Sequence, residues 1–254
     1  MLVDSHCHLD FPELAGTLDS VFALMRVNRV ERALCVSVTL EDFPRVRSLA
    51  ETYPHLWGSV GVHPDYEGVS AVSVADLVMR ANHPRIVAIG ETGLDYFRLK
   101  GDLEWQRERF RTHIRAAKEC GKPLIIHTRD AAADTLRIMR EEGADKAGGV
   151  MHCFTESMEV AAAAMDMGFY ISFSGIVTFK NAKTVKDVAR QVPLGNLLVE
   201  TDAPYLAPAP YRGKTNQPGY VRHVAEEVAR LKEVEFERVC IDTTTNFNKL
   251  FNII

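Results

Sequence analysis

"LVDSHCHLD", residues 2–10, runs from an apolar start to an ending that carries two histidines and no glycine. An open, doubly wound α/β sheet leaves its first strand through a glycine-rich turn that cradles phosphate on backbone N–H groups. Here the same place offers His6 and His8, so the first strand delivers side-chain chemistry instead. Residues two apart on a strand share a face and lie about 6.6 Å apart along the chain, so both imidazoles can lean toward one ion. Alone, the pattern fits two unrelated surface histidines equally well. Its meaning depends on what the rest of the chain brings to the same spot.

Seven more apolar, β-branched runs follow, separated by segments with apolar residues at three- and four-residue spacing. The expected strands are "LVDSH" (2–6), "RALCVSV" (32–38), "LWGSVGV" (56–62) and "RIVAIGE" (85–91). They continue with "PLIIH" (123–127), "GGVMH" (148–152), "FYISFSG" (169–175) and "NLLVET" (196–201). "ECGKP", "ANHP", "DMGF" and "VPLG" punctuate helix-to-strand joints. Eight β/α alternations in 254 residues predict an α/β fold of the (β/α)8 TIM-barrel kind. No repeat or linker-like stretch divides the chain, so residues 1–254 are expected to form a single domain.

Polar residues fall where the strands end. His6 and His8 close the first strand, His63 the third, Glu91 the fourth, His127 the fifth and His152 the sixth; Glu200 and Asp202 close the eighth. In such barrels the C-terminal strand ends ring one mouth, where chemistry is done. Side chains far apart in sequence thus converge. A carboxylate as deep as Glu91 must be paired or bound to a cation, with a structural arginine pair as the plain alternative. For His127 and His152 that alternative is a satisfied core histidine, and for Asp202 it is a turn cap. Four imidazoles and two carboxylates exceed what one ion takes. The set divides into two divalent cations sharing Glu91, with His6, His8 and Asp202 on the first and His127 and His152 on the second. Nitrogen-rich ligation favours Zn or Mn and leaves Mg open. Asp202 and Glu91 are the expected catalytic carboxylates. Asp202 can take a proton from water activated between the ions, and Glu200 can orient a ligand from behind.

Composition narrows the partners. With 46% hydrophobic and 25% charged residues, a formal net charge of −4 argues against a broad basic face gripping long duplexes, while leaving a strand end open as substrate. Five scattered cysteines without a C-x-x-C pair suggest reduced thiols and a cytoplasmic location. No signal-like start and no apolar run of about 20 residues is present, so no membrane association is expected. No obligate protein partner is indicated.

Together, "VDSHCHLD", "IGETGLDY", "IIHTRDA", "HCFT", "GFYISFSG", "LVETDAPYLAP" and "RGKTNQP" resemble the TatD-type metal-dependent hydrolases, a deoxyribonuclease family within the amidohydrolase-like barrels. The resemblance runs from residue 2 to about 250 and is nearest to small bacterial members described only as metal-dependent hydrolases. It implies first-metal positions at His6, His8 and Asp202, a bridging carboxylate at Glu91, and second-metal positions at His127 and His152. The activity it implies is 3′-to-5′ cleavage of single-stranded DNA. Other phosphodiesters, small-molecule esters or amides, and aminoacyl-tRNA esters are alternatives, and a non-catalytic scaffold is a further one.

His63 in "GVHPD", Arg129, Arg212 and Lys214 are the expected substrate-binding residues, facing phosphate; Arg212 and Lys214 also fit a merely solvated loop. Tyr96, Phe97 and Tyr205 could stack on bases or simply pack. His55, His83, His113 and His223 are expected to be solvent-exposed.

Overall fold

A computed structural model describes residues 1–69 and 72–253. The chain begins β1 (Leu2–Cys7), α1 (Pro12–Ala15), α2 (Leu18–Val27), β2 (Val30–Cys35), α3 (Phe43–Thr52) and β3 (Leu56–Val60). It continues α4 (Val74–Ala81), β4 (Ile86–Asp95), α5 (Glu104–Cys120), β5 (Leu124–Arg129), α6 (Ala132–Glu142) and β6 (Gly149–Met151). The last elements are α7 (Met158–Asp166), β7 (Phe169–Phe173), α8 (Lys183–Gln191), β8 (Leu197–Val199), α9 (Val221–Lys232) and α10 (Phe236–Leu250). The eight strands pair in parallel, in sequence order, and Cys7 bridges to Ala203 to close the ring. It is a (β/α)8 barrel.

Period-two alternation sorts the strand residues into two layers. One face of each strand packs on the helices. The other face supplies Val3, Leu34, Trp57, Val87, Ile125, Val150, Tyr170 and Leu198, one from each strand, to a single cluster sealed by Phe247, Phe251 and Ile253. Two residues beyond Ile125, Val150 and Leu198, on the same faces, come His127, His152 and Glu200. The apolar layer is therefore the floor on which the polar groups stand.

β1 and β4 depart from simple alternation. Asp4 pairs with Ala33 and Cys7 with Cys35, so β1 carries an extra residue just before His8. Ile89 pairs with Leu124 and Thr92 with Ile126, so β4 carries another beside Glu91. Such bulges re-aim the side chains that follow them. The sequence places Glu91 at the end of its strand, whereas β4 runs on to Asp95. Gly90 and Gly93, at φ +148° and +132°, carry the backbone through this stretch. A Cβ on Gly93 would lie 1.9 Å from the His127 carbonyl oxygen, so only glycine lets β4 pass so close to β5. β5 likewise continues past His127 to Arg129, and His63 lies beyond the end of β3 at Val60.

His113 corrects the expectation of exposure. It is fully buried on α5, where Nδ1 donates to the Arg109 carbonyl and Nε2 accepts the Val62 N–H at 3.0 Å. Burial pushes its pKa down to about 4. The side chain thus fixes the segment leading to His63. His55, His83 and His223 are half-buried.

The seam between β1 and β8 is closed at the residues that carry the polar groups. The Asp202 N–H donates to the His6 carbonyl at 2.9 Å, and the His8 N–H donates to the Ala203 carbonyl at 2.8 Å. Below them, the buried Asp4 carboxyl accepts the Thr201 N–H at 2.8 Å and its hydroxyl at 2.5 Å. Removing one partner of a buried hydrogen-bonded set leaves the other groups unsatisfied. Asp4→Ala should therefore lower stability by about 3 kcal/mol, read from the urea midpoint. A change of less than about 0.5 kcal/mol, typical of a neutral surface site, would show that this clamp does not hold the seam.

Candidate metal centre

Glu91 is 2% exposed, yet among the described residues no lysine or arginine lies within 4.0 Å of it. Every partner is an imidazole, so the arginine pair expected of a merely structural carboxylate is not what the fold supplies. The two oxygens are divided. Oε2 faces His6 Nε2 at 3.3 Å and His8 Nε2 at 3.9 Å. Oε1 faces His63 Nε2 at 3.3 Å, His127 Nδ1 at 3.3 Å and His152 Nε2 at 2.7 Å. Asp202 Oδ1 completes the Oε2 side, 3.6 Å from His6 Nε2 and 3.5 Å from His8 Nε2.

Most of these imidazoles have their rear nitrogen engaged. His8 Nδ1 donates to the Val36 carbonyl at 2.8 Å. His127 Nε2 stands 3.1 Å from Asp95 Oδ2, and His152 Nδ1 stands 3.2 Å from Glu200 Oε1. His63 Nδ1 stands 2.5 Å from Asp65 Oδ1, and Arg98 holds the other Asp65 oxygen at 2.7 Å. A neutral ring that donates from the rear presents a lone pair to the front. Acceptor nitrogens and carboxylate oxygens then face one another, which is repulsive unless positive charge lies among them.

The spacing fits such a charge. Donors bound to one tetrahedral ion at about 2.0–2.1 Å stand about 3.3 Å apart. His6 Nε2 and His8 Nε2 are 3.3 Å apart, matching the separations just given for Glu91 and Asp202. His152 Nε2 is buried with no hydrogen-bond partner despite its 2.7 Å approach to Glu91, because the direction is wrong for a hydrogen bond. Three groups of donor atoms, each mutually within 4.8 Å, have the composition of a divalent-cation site: His6, His8 and Glu91; His6, His152 and Asp202; and His63, Glu91 and His127.

All six residues expected as ligands meet here, and Glu200 lies behind His152. His152 is not confined to the side of His127: its ring stacks on His6 at 3.9 Å and its nitrogen groups with Asp202. His63, read from the sequence as phosphate-facing, points its Nε2 at Glu91. Sequence reasoning passed over Asp65 and Asp95, which hold His63 and His127, although both stand in quoted motifs two and four residues past a site residue. Arg129, Arg212 and Lys214 lie apart from this cluster. Arg129 covers the Phe97 ring at 3.8 Å and Arg212 covers Phe179 at 3.8 Å, while Lys214 is exposed near Tyr211. Tyr96 donates to Asp134 at 2.7 Å and is held there.

The electrostatics follow the same division. Burial drives the Glu91 carboxyl up, but His152, His63 and His6 outweigh it and hold it far below the usual range. Asp202 is held low against burial by His8 and His6, and Asp95 is held at about 2, against burial, chiefly by His127. Burial lowers His6, whereas His8 is raised against burial by Asp202. His63 is raised to about 9 against burial by Glu91 and Asp65.

The sequence profile of the family described as TatD related DNase matches residues 3–252. The chain is 49% identical to YcfH, an uncharacterized metal-dependent hydrolase of Escherichia coli (strain K12), over 99% of this chain and 96% of that one. It is 30% identical, over the full length of both, to TatD of Salmonella typhimurium, a 3′-5′ ssDNA/RNA exonuclease. The crystal structure of YjjV, a TatD homologue from Escherichia coli K12, superposes with a TM-score of 0.92 at 29% identity, covering 100% of this chain and 98% of that one.

Without metal, protons must supply the positive charge. A histidine raised from 6.5 to about 9, as His63 is, stabilises the fold fully below 6.5 and ceases to as pH rises through 9. In EDTA, Tm should therefore fall between those pH values. With Mn or Zn present the slope should reverse, since cations displace those protons. A flat profile in EDTA would contradict this charge balance.

Proposed function

This chain belongs to the TatD-related DNase family of metal-dependent hydrolases, and we propose that it removes nucleotides from the 3′ end of single-stranded DNA by hydrolysing phosphodiester bonds. The observation that carries the reading is the division of the Glu91 oxygens between two sets of donors. His6, His8 and Asp202 would hold one divalent cation against Oε2, and His127, His152 and His63 another against Oε1. Such a pair supplies Lewis-acid chemistry, acidifying water and neutralising charge on both the attacking and leaving oxygens of an in-line displacement.

The protein's own groups do the rest. Asp202 is the more open of the two carboxylates, its side chain 16% exposed against 3% for Glu91. Held ionised by His8 and His6, its carboxylate can take the proton of the attacking water and pass it to the leaving oxygen. Glu200, Asp95 and Asp65 keep the rings of His152, His127 and His63 turned with one nitrogen inward. Among the described residues, Arg129, Arg212 and Lys214 have no carboxylate within 4.0 Å, as suits cations that meet phosphate. Arg212 and Lys214 lie on the loop after β8, where barrels of this kind bind phosphate, and Arg129 ends β5 on the same rim.

End-labelled oligonucleotides incubated with Mn, Zn or Mg test the reading. Stepwise shortening of single strands from the 3′ end is expected; cleavage of a carboxyl ester with oligonucleotides left intact would contradict it. Asp202→Asn should lower kcat by about 10²- to 10⁴-fold while the barrel stays folded. Lys214→Ala should raise KM several-fold while kcat changes by less than about twofold. A kcat loss of similar size in both variants would remove the distinction between proton transfer and phosphate binding.

A further inference from the structure

Among the described residues, the exposed large apolar side chains are Met1, Val27, Met79 and Ile241, together with the rings of Tyr66, Phe97 and Tyr205. The aliphatic members are scattered over the amino terminus and the outer helices. The aromatic ones are not scattered. Tyr66 follows β3, Phe97 follows β4 and Tyr205 follows β8, so all three stand on loops at the C-terminal ends of strands, around Glu91. In a closed ring of eight strands, β4 and β8 lie opposite each other, which sets Phe97 and Tyr205 across the mouth.

The backbone that carries each ring is tied to a residue of the metal centre or of its support. The Tyr66 N–H donates to the His63 carbonyl at 3.3 Å, and the Tyr205 N–H donates to the Asp202 carbonyl at 2.9 Å. The Phe97 N–H donates at 2.9 Å to Asp95 Oδ1, whose other oxygen holds His127. Two of the rings are also backed. The Arg129 guanidinium covers Phe97 at 3.8 Å, while Tyr205 meets Phe11 edge-on at 6.1 Å and Phe11 stacks on His8 at 4.8 Å. Even so, Phe97 is 53% exposed and Tyr205 52%. Single exposed apolar side chains are ordinary on a protein surface. Three exposed rings on loops at one rim, each loop held by its backbone to the metal centre or its support, are placed to meet a ligand there.

We propose that Tyr66, Phe97 and Tyr205 form a stacking collar that receives the unpaired bases of a polynucleotide end, setting the terminal phosphodiester over Glu91. The inference rests on the phosphodiesterase reading and adds how the strand is recognised. Aromatic faces stack on any base, so the collar is indifferent to sequence. Paired bases are already stacked within a duplex and do not present their faces, so the same collar passes over double-stranded ends until they fray. Arg129, lying behind Phe97, brings positive charge to the ring and to the backbone phosphate together.

The test uses the metal-loaded full chain and a single-stranded oligonucleotide with 2-aminopurine in its last nucleotides. A matched oligonucleotide has abasic sites at the same positions. Stacking should quench the 2-aminopurine fluorescence on binding. Wild type should prefer the intact end over the abasic end, in Kd and in kcat/KM, by about five- to one-hundred-fold per stacked base. In Phe97→Ala and Tyr205→Ala the quench should weaken and that preference fall toward unity. Phe97→Trp and Tyr205→Phe should restore both, and Met79→Ala, on α4 away from the mouth, should leave both as in wild type. An undiminished quench or preference in the alanine variants overturns the collar. Quenching that depends on the rings without any cleavage would uphold the collar and sink the phosphodiesterase reading. Neither binding nor cleavage would sink both.

Discussion

A single buried carboxylate governs this structure. Glu91 sits almost without solvent, ringed by imidazoles and with no lysine or arginine in reach among the described residues. A lone charge in such a place is very costly, and burial alone would drive the carboxyl toward its neutral form. The surrounding nitrogens can carry protons, which neutralise the charge, or present lone pairs, which need a cation between them and the carboxylate. Either way the site is built around positive charge that the rest of the fold does not provide. Around that requirement the imidazoles gather from four strand ends, those of β1, β3, β5 and β6, and Asp65, Asp95 and Glu200 stand behind three of them.

The barrel meets this demand by breaking its own regularity. Straight alternation along β1 would carry Val3 and Ser5 inward and turn His6 toward the helices; the bulge between Asp4 and Cys7 turns His6 inward instead. The bulge at Gly90–Glu91 does the same for the carboxylate. Both of these bulges lie on strands held closely to a neighbour, β1 by Asp4 on Thr201 beyond β8, β4 by the close pass of Gly93 over His127 of β5. The apolar layer from Val3 to Leu198 gives the polar groups a rigid floor, sealed at the far end by Phe247 and Phe251. Stability and chemistry thus occupy opposite ends of one ring of strands. The seam that closes the ring passes through His6, His8 and Asp202, so closing the barrel and assembling the donors are the same event.

Much of this was legible in the chain itself. Eight apolar runs, six of them closed by a histidine or a carboxylate, are sufficient to specify a barrel and the rim on which His6, His8, Glu91, His127, His152 and Asp202 meet. The errors have physical causes. Ending a strand at its first polar residue cuts β4 and β5 short: glycine inside β4 marks a bulge rather than an end, and His127 is followed by two more paired residues of β5. His63 reads as phosphate-facing because its partner Glu91 is distant in sequence, and only the fold shows Oε1 facing its Nε2. His113 was read as exposed because one helical residue gives no sign that a neighbouring loop will donate to it. Asp65 and Asp95 went unnoticed for a similar reason: an aspartate in a turn usually caps the turn, and its second oxygen is free to hold a histidine only once the strands are side by side.

The claim beneath all of this is that Glu91 shares its oxygens between two cations. Anomalous diffraction from crystals grown with Mn or Zn measures it most directly. Two peaks about 3.5–4 Å apart, one beside each oxygen of Glu91, are predicted. A single peak, or metal bound elsewhere with Glu91 left facing bare imidazoles, would contradict the account.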